Sequence, residues 1–136
     1  MVFDPADDLP LVGTRRSMLG VRPLADVTLI PSGDLTGCVA LDRKGLSVSD
    51  DWRTLPPHLV PEQLDDEVNG ASGRGMKVFV HGAGTFAEGQ VAQSLEMLFK
   101  VNSTSSGVVC PIAIVLLAQY QSDLQASRSD WVEDPS

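Results

Sequence analysis

The chain has 136 residues, of which 43% are hydrophobic and only 5% are aromatic. This length and apolar content suit one domain with its own core, and no disulfide framework is needed for stability. Eighteen acidic residues against ten basic ones give a formal charge of −8, which repels nucleic acid and anionic lipid surfaces. The charge therefore argues against general nucleic-acid or membrane binding and indicates that a protein partner would be basic.

Localisation is predicted from the first residues and from the two cysteines. The opening Met-Val-Phe-Asp-Pro-Ala-Asp-Asp lacks the positive charge and apolar stretch of a signal peptide, and no run of about 18 apolar residues could span a bilayer. Cys38 and Cys110 resemble neither a disulfide scaffold nor a zinc motif. We expect a cytoplasmic protein with two reduced, buried thiols, and export by a machine that needs no cleavable signal is left open.

Residues 1–16 are predicted to form a flexible acidic arm, and residues 17–136 a single α+β domain. Prolines and a glycine in the arm, with little periodicity, disfavour regular structure there. From residue 17 onward, short apolar runs separated by turn residues predict strands. These runs cover residues 18–21, 27–30, 38–41 and 46–48.

The stretch 50–75 is predicted to be a long crossing loop. Pro56, Pro57 and Pro61 disfavour both a helix interior and a central strand. One helical turn is predicted near residues 62–66. Loops of this length in compact domains are usually functional or flexible, so this stretch is a candidate functional region.

Three further strands and one helix are predicted after the loop. The strands cover residues 76–81, 94–101 and 107–114. Apolar residues at helical spacing then predict an amphipathic helix from about residue 115 to 129. Its apolar stripe consists of Leu116, Leu117, Tyr120, Leu124 and Trp131. The predicted fold class is α+β, with a small, mostly antiparallel sheet and one C-terminal helix.

The glycines after residue 81 do not form a nucleotide-binding motif. His81 is followed by Gly-Ala-Gly-Thr-Phe-Ala-Glu-Gly, which lacks both the helix start of a dinucleotide loop and the Lys-Ser/Thr of a P-loop. A hairpin with glycine at its turn is predicted instead. The two histidines and two cysteines do not form the close pairs of a structural zinc site, so no metal is expected.

One set of polar residues has the composition of a site that cleaves NAD. Arg22 follows an early predicted strand, and Ser47 with Ser49 places two hydroxyls at alternating positions. A carboxylate, Glu88 or alternatively Glu96, would stabilise the oxocarbenium-like charge that grows as nicotinamide leaves. The predicted catalytic residues are Arg22, Ser47 and Glu88. The predicted NAD-binding residues are Arg22, Arg43, Ser47 and Ser49.

Two short motifs carry a family resemblance. Asp-Arg-Lys-Gly-Leu at 42–46 and Asp-Trp-Arg-Thr-Leu-Pro-Pro-His-Leu at 51–59 resemble the small ADP-ribosyltransferase-like toxins that bacteria deliver by type VI secretion. The resemblance extends loosely over residues 17–132. It implies a split-sheet fold with an NAD cleft between two small sheets, toxic activity in a target cell, and an immunity protein as partner. Carried over by position, Arg22 and Ser47 would lie in that cleft.

Two non-enzymatic functions are alternatives. Cys110 stands near the strand where this fold would carry a glutamate, which favours a binding domain on the same scaffold. An acidic interaction protein, such as an immunity protein, an antitoxin or a phage accessory protein, or a structural subunit would also fit the charge. An enzyme would have to bring Arg22, Ser47 and a glutamate within about 10 Å of one another, whereas a binder would not.

Overall fold

The computed structural model describes residues 1–15, 17–81 and 86–133. Six strands and one α-helix occur in this part of the chain. They are β1 (Leu46–Ser49), β2 (Phe79–His81), β3 (Gly89–Ala92), β4 (Leu95–Phe99), β5 (Ser106–Pro111), α1 (Leu117–Ala126) and β6 (Trp131–Glu133). Single turns of 3-10 helix cover Trp52–Thr54, Pro57–Leu59, Glu62–Leu64 and Arg128–Asp130. None of the helices in the described ranges has both the length and the apolar character needed to cross a membrane.

The strands form two antiparallel sheets of unequal size. The larger sheet has the order β1-β5-β4-β3, and the smaller sheet pairs β2 with β6. The α+β class, with mostly antiparallel strands and one helix, is therefore confirmed. Strand β1 forms one edge of the larger sheet, which determines where the candidate site lies.

The principal core lies between one face of the larger sheet and helix α1. Across the sheet, Leu46 pairs with Val109 and Val109 pairs with Met97, so these apolar side chains share a face. Tyr120 and Leu124 of α1 are fully buried against this core. Burying a side chain of this size contributes roughly 1.5–3 kcal/mol, which explains why a helix of only ten residues is stable here.

Three of the predicted strands are not regular strands. Residues 18–21, 27–30 and 38–41 contain only isolated bridges, although Leu19, Val27 and Val39 are buried in the principal core. The physical reason is visible at Val21. The side-chain amide of Gln121 accepts from its N–H at 3.2 Å and donates to its carbonyl at 2.7 Å. A side chain thus replaces the backbone neighbour that a strand would need.

Four predicted strands are present with shifted ends, as β1, β2, β4 and β5. Strand β3 was not predicted, because Gly89–Ala92 is too short and too mixed in composition to show an alternating pattern. The hairpin predicted after residue 81 is wrong. The strands on either side of it, β2 and β3, belong to different sheets, and residues 82–85, for which the glycine turn was predicted, lie outside the described residues.

The predicted C-terminal helix is present but shorter. Ser127 ends it, because its N–H and its hydroxyl both donate to the carbonyl of Leu124. After one 3-10 turn the chain continues as β6, which begins at Trp131. The predicted apolar stripe is therefore right for Tyr120 and Leu124 and wrong for Trp131. It is also wrong for Leu116, which is 57% exposed.

The stretch 50–75 packs around a second, smaller core instead of crossing the surface as a plain loop. The third of its 3-10 turns, Glu62–Leu64, matches the predicted helical turn. The five buried hydrophobic residues of this second core are Trp52, Val60, Val68 and Ala71 from the stretch and Val78 just after it. The prolines limit the segment to short turns, and the buried aliphatic residues hold those turns together.

The N-terminal residues contact the rest of the chain. The Arg128 guanidinium donates to Asp7 at 2.6 and 2.9 Å and to the carbonyl of Pro10 at 2.7 Å. Val2 forms an antiparallel bridge with Met76. The flexibility of this segment stays a prediction, and its predicted boundary at residue 16 lies outside the described residues.

Candidate functional site

A cleft of about 300 Å³ lies between the β1 edge of the larger sheet and the smaller sheet. Every residue of β1 and every residue of β2 lines it. Because side chains alternate between the two faces of a strand, lining by consecutive residues means that the strands reach the cleft with their edges. The cleft continues beneath the apolar face of the larger sheet, where Met97 and Val109 line it.

The walls of the cleft are mainly aromatic and aliphatic. Trp52 contributes from the second core, and Phe79 and Trp131 contribute from the smaller sheet. The His81 ring meets the Trp131 ring edge to face, with centroids 5.0 Å apart. Aromatic walls with a few polar groups are typical of sites for small ligands that contain a flat ring.

The charged side chains in the described lining of the cleft are Asp50 and Lys77. Asp50 is exposed and supplies the carboxylate within the described part of the lining. Lys77 also lines the cleft, but its ammonium group lies 3.4 Å from the Asp8 carboxylate and 3.3 Å from that of Glu133. Its positive charge is therefore compensated, so the cleft favours neutral or cationic ligand groups over anionic ones.

His81 brings a titratable ring to the cleft. Burial lowers the pKa of His81 below its usual value, and the Asp130 carboxylate, 4.0 Å from Nε2, acts in the opposite direction. Because the pKa of His81 is lowered overall, the ring is neutral at pH 7, and a neutral imidazole is able to accept a proton. From the sequence, His81 was considered as a zinc ligand, which its spacing did not support.

Ser47 and Ser49 present backbone groups to the cleft. The N–H of Asp50 donates to the carbonyl of Ser105, just before β5, at 3.0 Å. Because hydrogen-bonding directions alternate along a strand, the N–H and C=O of Val48 also face β5. Those of Ser47 and Ser49 face the free edge, which borders the cleft.

The hydroxyls of the two serines have other partners. Alternation places both on the face opposite the Leu46 side chain and the principal core. Ser47 Oγ accepts a hydrogen bond from Lys100 Nζ at 3.1 Å. Ser49 Oγ lies 2.7 Å from Thr54 Oγ1. The predicted role of these hydroxyls in holding a ribose would therefore require a ligand on the outer face of β1.

Arg22 is absent from the described lining of the cleft. It lies directly before the turn at 23–26 and not on a strand. Its guanidinium binds the Asp26 carboxylate at 2.9 Å, and its backbone N–H binds the same carboxylate at 2.6 Å. The hydrogen bond from Asp26 raises the pKa of Arg22, so the arginine stays charged and its charge is compensated locally.

Arg43 and Glu88 bind each other outside the described lining of the cleft. Arg43 Nη1 donates to Glu88 Oε2 at 2.8 Å and to the Phe99 carbonyl at 3.1 Å. The N–H of Phe99 donates to the same glutamate oxygen at 2.9 Å. These bonds lower the pKa of Glu88, and the bond from the Phe99 N–H has the largest effect. The cluster connects the turn that carries Arg43 to the end of β4.

Glu96 and Cys110 lie opposite each other on β4 and β5. Burial raises the pKa of the Cys110 thiol to about 11, and the Glu96 charge adds to the shift. A thiol that stays protonated at neutral pH is a poor nucleophile. Cys110 therefore behaves as a core residue, as the sequence predicted.

The geometry brings Arg43 and Glu88 together and gives Arg22 and Ser47 separate partners. Sequence reasoning missed Asp50 and His81 as cleft residues. Asp50 follows the predicted strand directly, but nothing in the sequence shows which strand edge lines a cleft. His81 ends a strand whose position opposite β1 depends on long-range packing.

Comparisons with known proteins leave the geometry of the cleft as the basis for a functional argument. No protein-family model, curated protein or solved structure matches the chain significantly. Among the residues that the structure describes, no three His, Cys, Asp or Glu side chains gather into a metal site. The functional argument therefore rests on the shape, the aromatic walls and the charge of the cleft.

Proposed function

We propose that the chain binds NAD, with the nicotinamide ring in the cleft and the diphosphate outside it. The observation that carries the proposal is a cleft of about 300 Å³ between two strand edges, with aromatic walls. Ligand pockets span roughly 300–1,000 Å³, so this cleft is at the small end. It suits one ring system better than a whole dinucleotide.

The charges support this orientation of NAD. The oxidised nicotinamide ring is cationic, and a cation is attracted by the faces of tryptophan rings and by a carboxylate. Trp52, Trp131 and Asp50 line the cleft. The Arg53 guanidinium already lies over the Trp52 ring, 4.6 Å from its centroid, so Trp131 and Asp50 are the stronger candidates to attract the nicotinamide ring. The anionic diphosphate would gain little from Lys77, whose charge is compensated. Lys100, bound to Ser47 on the outer face of β1, is a better partner for it.

Cleavage of bound NAD is the reaction that this orientation favours. The bond between ribose C1′ and the nicotinamide nitrogen breaks, its electron pair goes to the ring nitrogen, and water adds to C1′ with loss of a proton. A carboxylate near C1′ stabilises the positive charge that develops there. Asp50, not Glu88, is the carboxylate in the described lining of the cleft. The sequence resemblance implies a toxin acting in a target cell as the biological setting.

Tryptophan fluorescence tests the proposal directly, because the chain's two tryptophans both line the cleft. Titration with NAD should change the emission saturably, and nicotinamide should compete. ADP-ribose, which lacks the ring, should bind at least tenfold more weakly. Chromatography of the same samples measures nicotinamide release. No saturable change at millimolar NAD, or equal affinity for ADP-ribose, would contradict the proposal.

Asp50→Asn is the informative variant for this titration. Removing a charge from an exposed position should weaken NAD binding about tenfold, equivalent to about 1.4 kcal/mol, without unfolding the domain. Asp34→Asn is the matched control, because Asp34 is also exposed but lies outside the described lining of the cleft. If both variants bind NAD alike, Asp50 does not contact the ligand.

A further inference from the structure

We infer that the free edge of β1 is a docking site for an extended, basic segment of a partner protein, which adds to the larger sheet as a fifth strand. This inference uses the same cleft as the proposed NAD site but does not depend on NAD binding. It rests on the backbone geometry of β1, on the pairing already present at the cleft, and on charge.

The backbone geometry provides the pairing groups. Ser47 and Ser49 point their N–H and C=O groups away from β5, about 7 Å apart along the strand. This is the donor and acceptor pattern with which an added strand pairs. The β1 sequence Leu-Ser-Val-Ser contains no charge or proline, although such residues commonly block the edges of natural sheets.

An extended segment already pairs with backbone at the other wall of this cleft. The Lys77 N–H donates to the Met1 carbonyl at 3.0 Å, and the Met1 nitrogen donates to the Lys77 carbonyl at 2.9 Å. Val2 continues this pairing with Met76. Met1 and Lys77 both line the cleft. Backbone pairing with an extended segment therefore already occurs at one wall of the cleft.

The charge of the surroundings identifies the class of segment. Asp50 directly follows β1 at the cleft, and Lys77 is compensated by two carboxylates. The whole chain carries −8. Basic side chains of an added segment would be attracted to Asp50 at the end of β1 and to the net charge of the chain, whereas Lys100, bound to Ser47 on the outer face of β1, favours apolar side chains there.

The test uses a blocked heptapeptide of alternating lysine and valine, with amide hydrogen exchange of the protein followed by NMR. Saturating peptide should slow exchange at Ser47 and Ser49 at least tenfold. A peptide with glutamate in place of lysine should bind at least tenfold more weakly. A peptide N-methylated at every residue, which loses the donors of both edges, should not protect these amides.

Ser47→Pro is the matching change in the protein. It removes an N–H that faces the free edge, so the ladder to β5 is retained, and peptide binding should be lost. Ser47→Thr keeps the N–H and should bind normally. If circular dichroism shows that Ser47→Pro is unfolded, the N-methylated peptide alone tests whether the segment pairs with β1.

Protection elsewhere, equal binding by Ser47→Pro, or no binding of the lysine peptide would overturn the inference. NAD binding without peptide binding would contradict the docking site and leave the proposed function unaffected. Peptide binding without NAD binding would contradict the proposed function and leave the docking site unaffected.

Discussion

The hydroxyl of Tyr120 accepts a hydrogen bond from the backbone N–H of Leu46 at 3.1 Å and donates one to the carbonyl of Val109. Leu46 and Val109 are register partners in β1 and β5, so the side chain bridges two backbones within the sheet. Tyr120 is fully buried, and burial raises the pKa of its hydroxyl. It therefore stays protonated and able to donate. Helix α1 thereby fixes the strand that forms one wall of the cleft.

Replacing Tyr120 with Phe should destabilise the fold. The change leaves the N–H of Leu46 and the carbonyl of Val109 without their shared partner, one in a part-buried and one in a buried position. Such a loss costs about 1–3 kcal/mol, measurable by urea unfolding. Gln125→Ala on the exposed side of α1 is the control and should change stability by less than about 0.5 kcal/mol. Equal effects of the two changes would rule out the bridging role.

Replacing Arg128 with Lys should loosen the N-terminal segment. Lysine keeps the charge but cannot reproduce the two parallel bonds to Asp7 together with the bond to Pro10. Hydrogen exchange of the amides at Leu9 and Leu11 should become at least fivefold faster. Arg74→Lys, at an exposed position, should leave these rates unchanged. Unchanged rates in Arg128→Lys would show that other contacts hold the segment.

The stability of the domain should fall on mild acidification because of His81. Burial lowers the pKa of His81 from its usual value of 6.5, so below that pH the unfolded chain binds a proton that the folded chain does not. The free energy of unfolding therefore decreases as the pH falls through 6.5, and the decrease levels off below the folded pKa.

Urea unfolding of the wild type and His81→Gln between pH 8 and pH 5 tests this dependence. The variant should lose less stability over the range than the wild type. Burial also lowers the pKa of the Met1 amino group to about 6, which acts with the same sign, but both proteins contain that group and the difference isolates His81. Identical slopes would contradict the prediction.

Replacing Glu88 with Gln should leave NAD binding unchanged within about twofold. Glu88 binds Arg43 and the Phe99 N–H outside the described lining of the cleft. The expected loss of stability is small, because the ion pair is exposed. The hypothesis from sequence, in which Glu88 is catalytic, requires instead a fall in nicotinamide release of at least about 100-fold. The chromatographic assay separates the two outcomes.

The predictions that succeeded depend on short-range patterns. Strands β4 and β5 follow from short apolar runs, and the buried pair Tyr120 and Leu124 follows from helical spacing within a few residues. The strand predicted at Val21 failed because Gln121, 100 residues away, satisfies its backbone. The prediction that Trp131 belongs to the helix was wrong because Ser127 ends the helix one turn before it. In both cases a polar side chain overrides the apolar pattern.

The site was less predictable than the fold. The resemblance implied a cleft between two small sheets, but the residues that line the cleft depend on which strand edges face each other. Ser47 was assigned from its hydroxyl, but that hydroxyl binds Lys100, and the alternation of β1 directs the backbone groups of Ser47 to the edge that borders the cleft. A sequence gives the alternation of a strand but not which strand becomes an edge.

The bridge from Tyr120 to β1 also bears on the order of folding. Leu46 and Tyr120 are separated by 74 residues, so this contact closes a long loop and forms slowly compared with the β4–β5 pair, whose strands are close in sequence. We expect β1 to join the sheet only after helix α1 is in place. A chain interrupted during synthesis before residue 120 would then expose an unanchored β1 segment, and the cleft would be the last part of the domain to take shape.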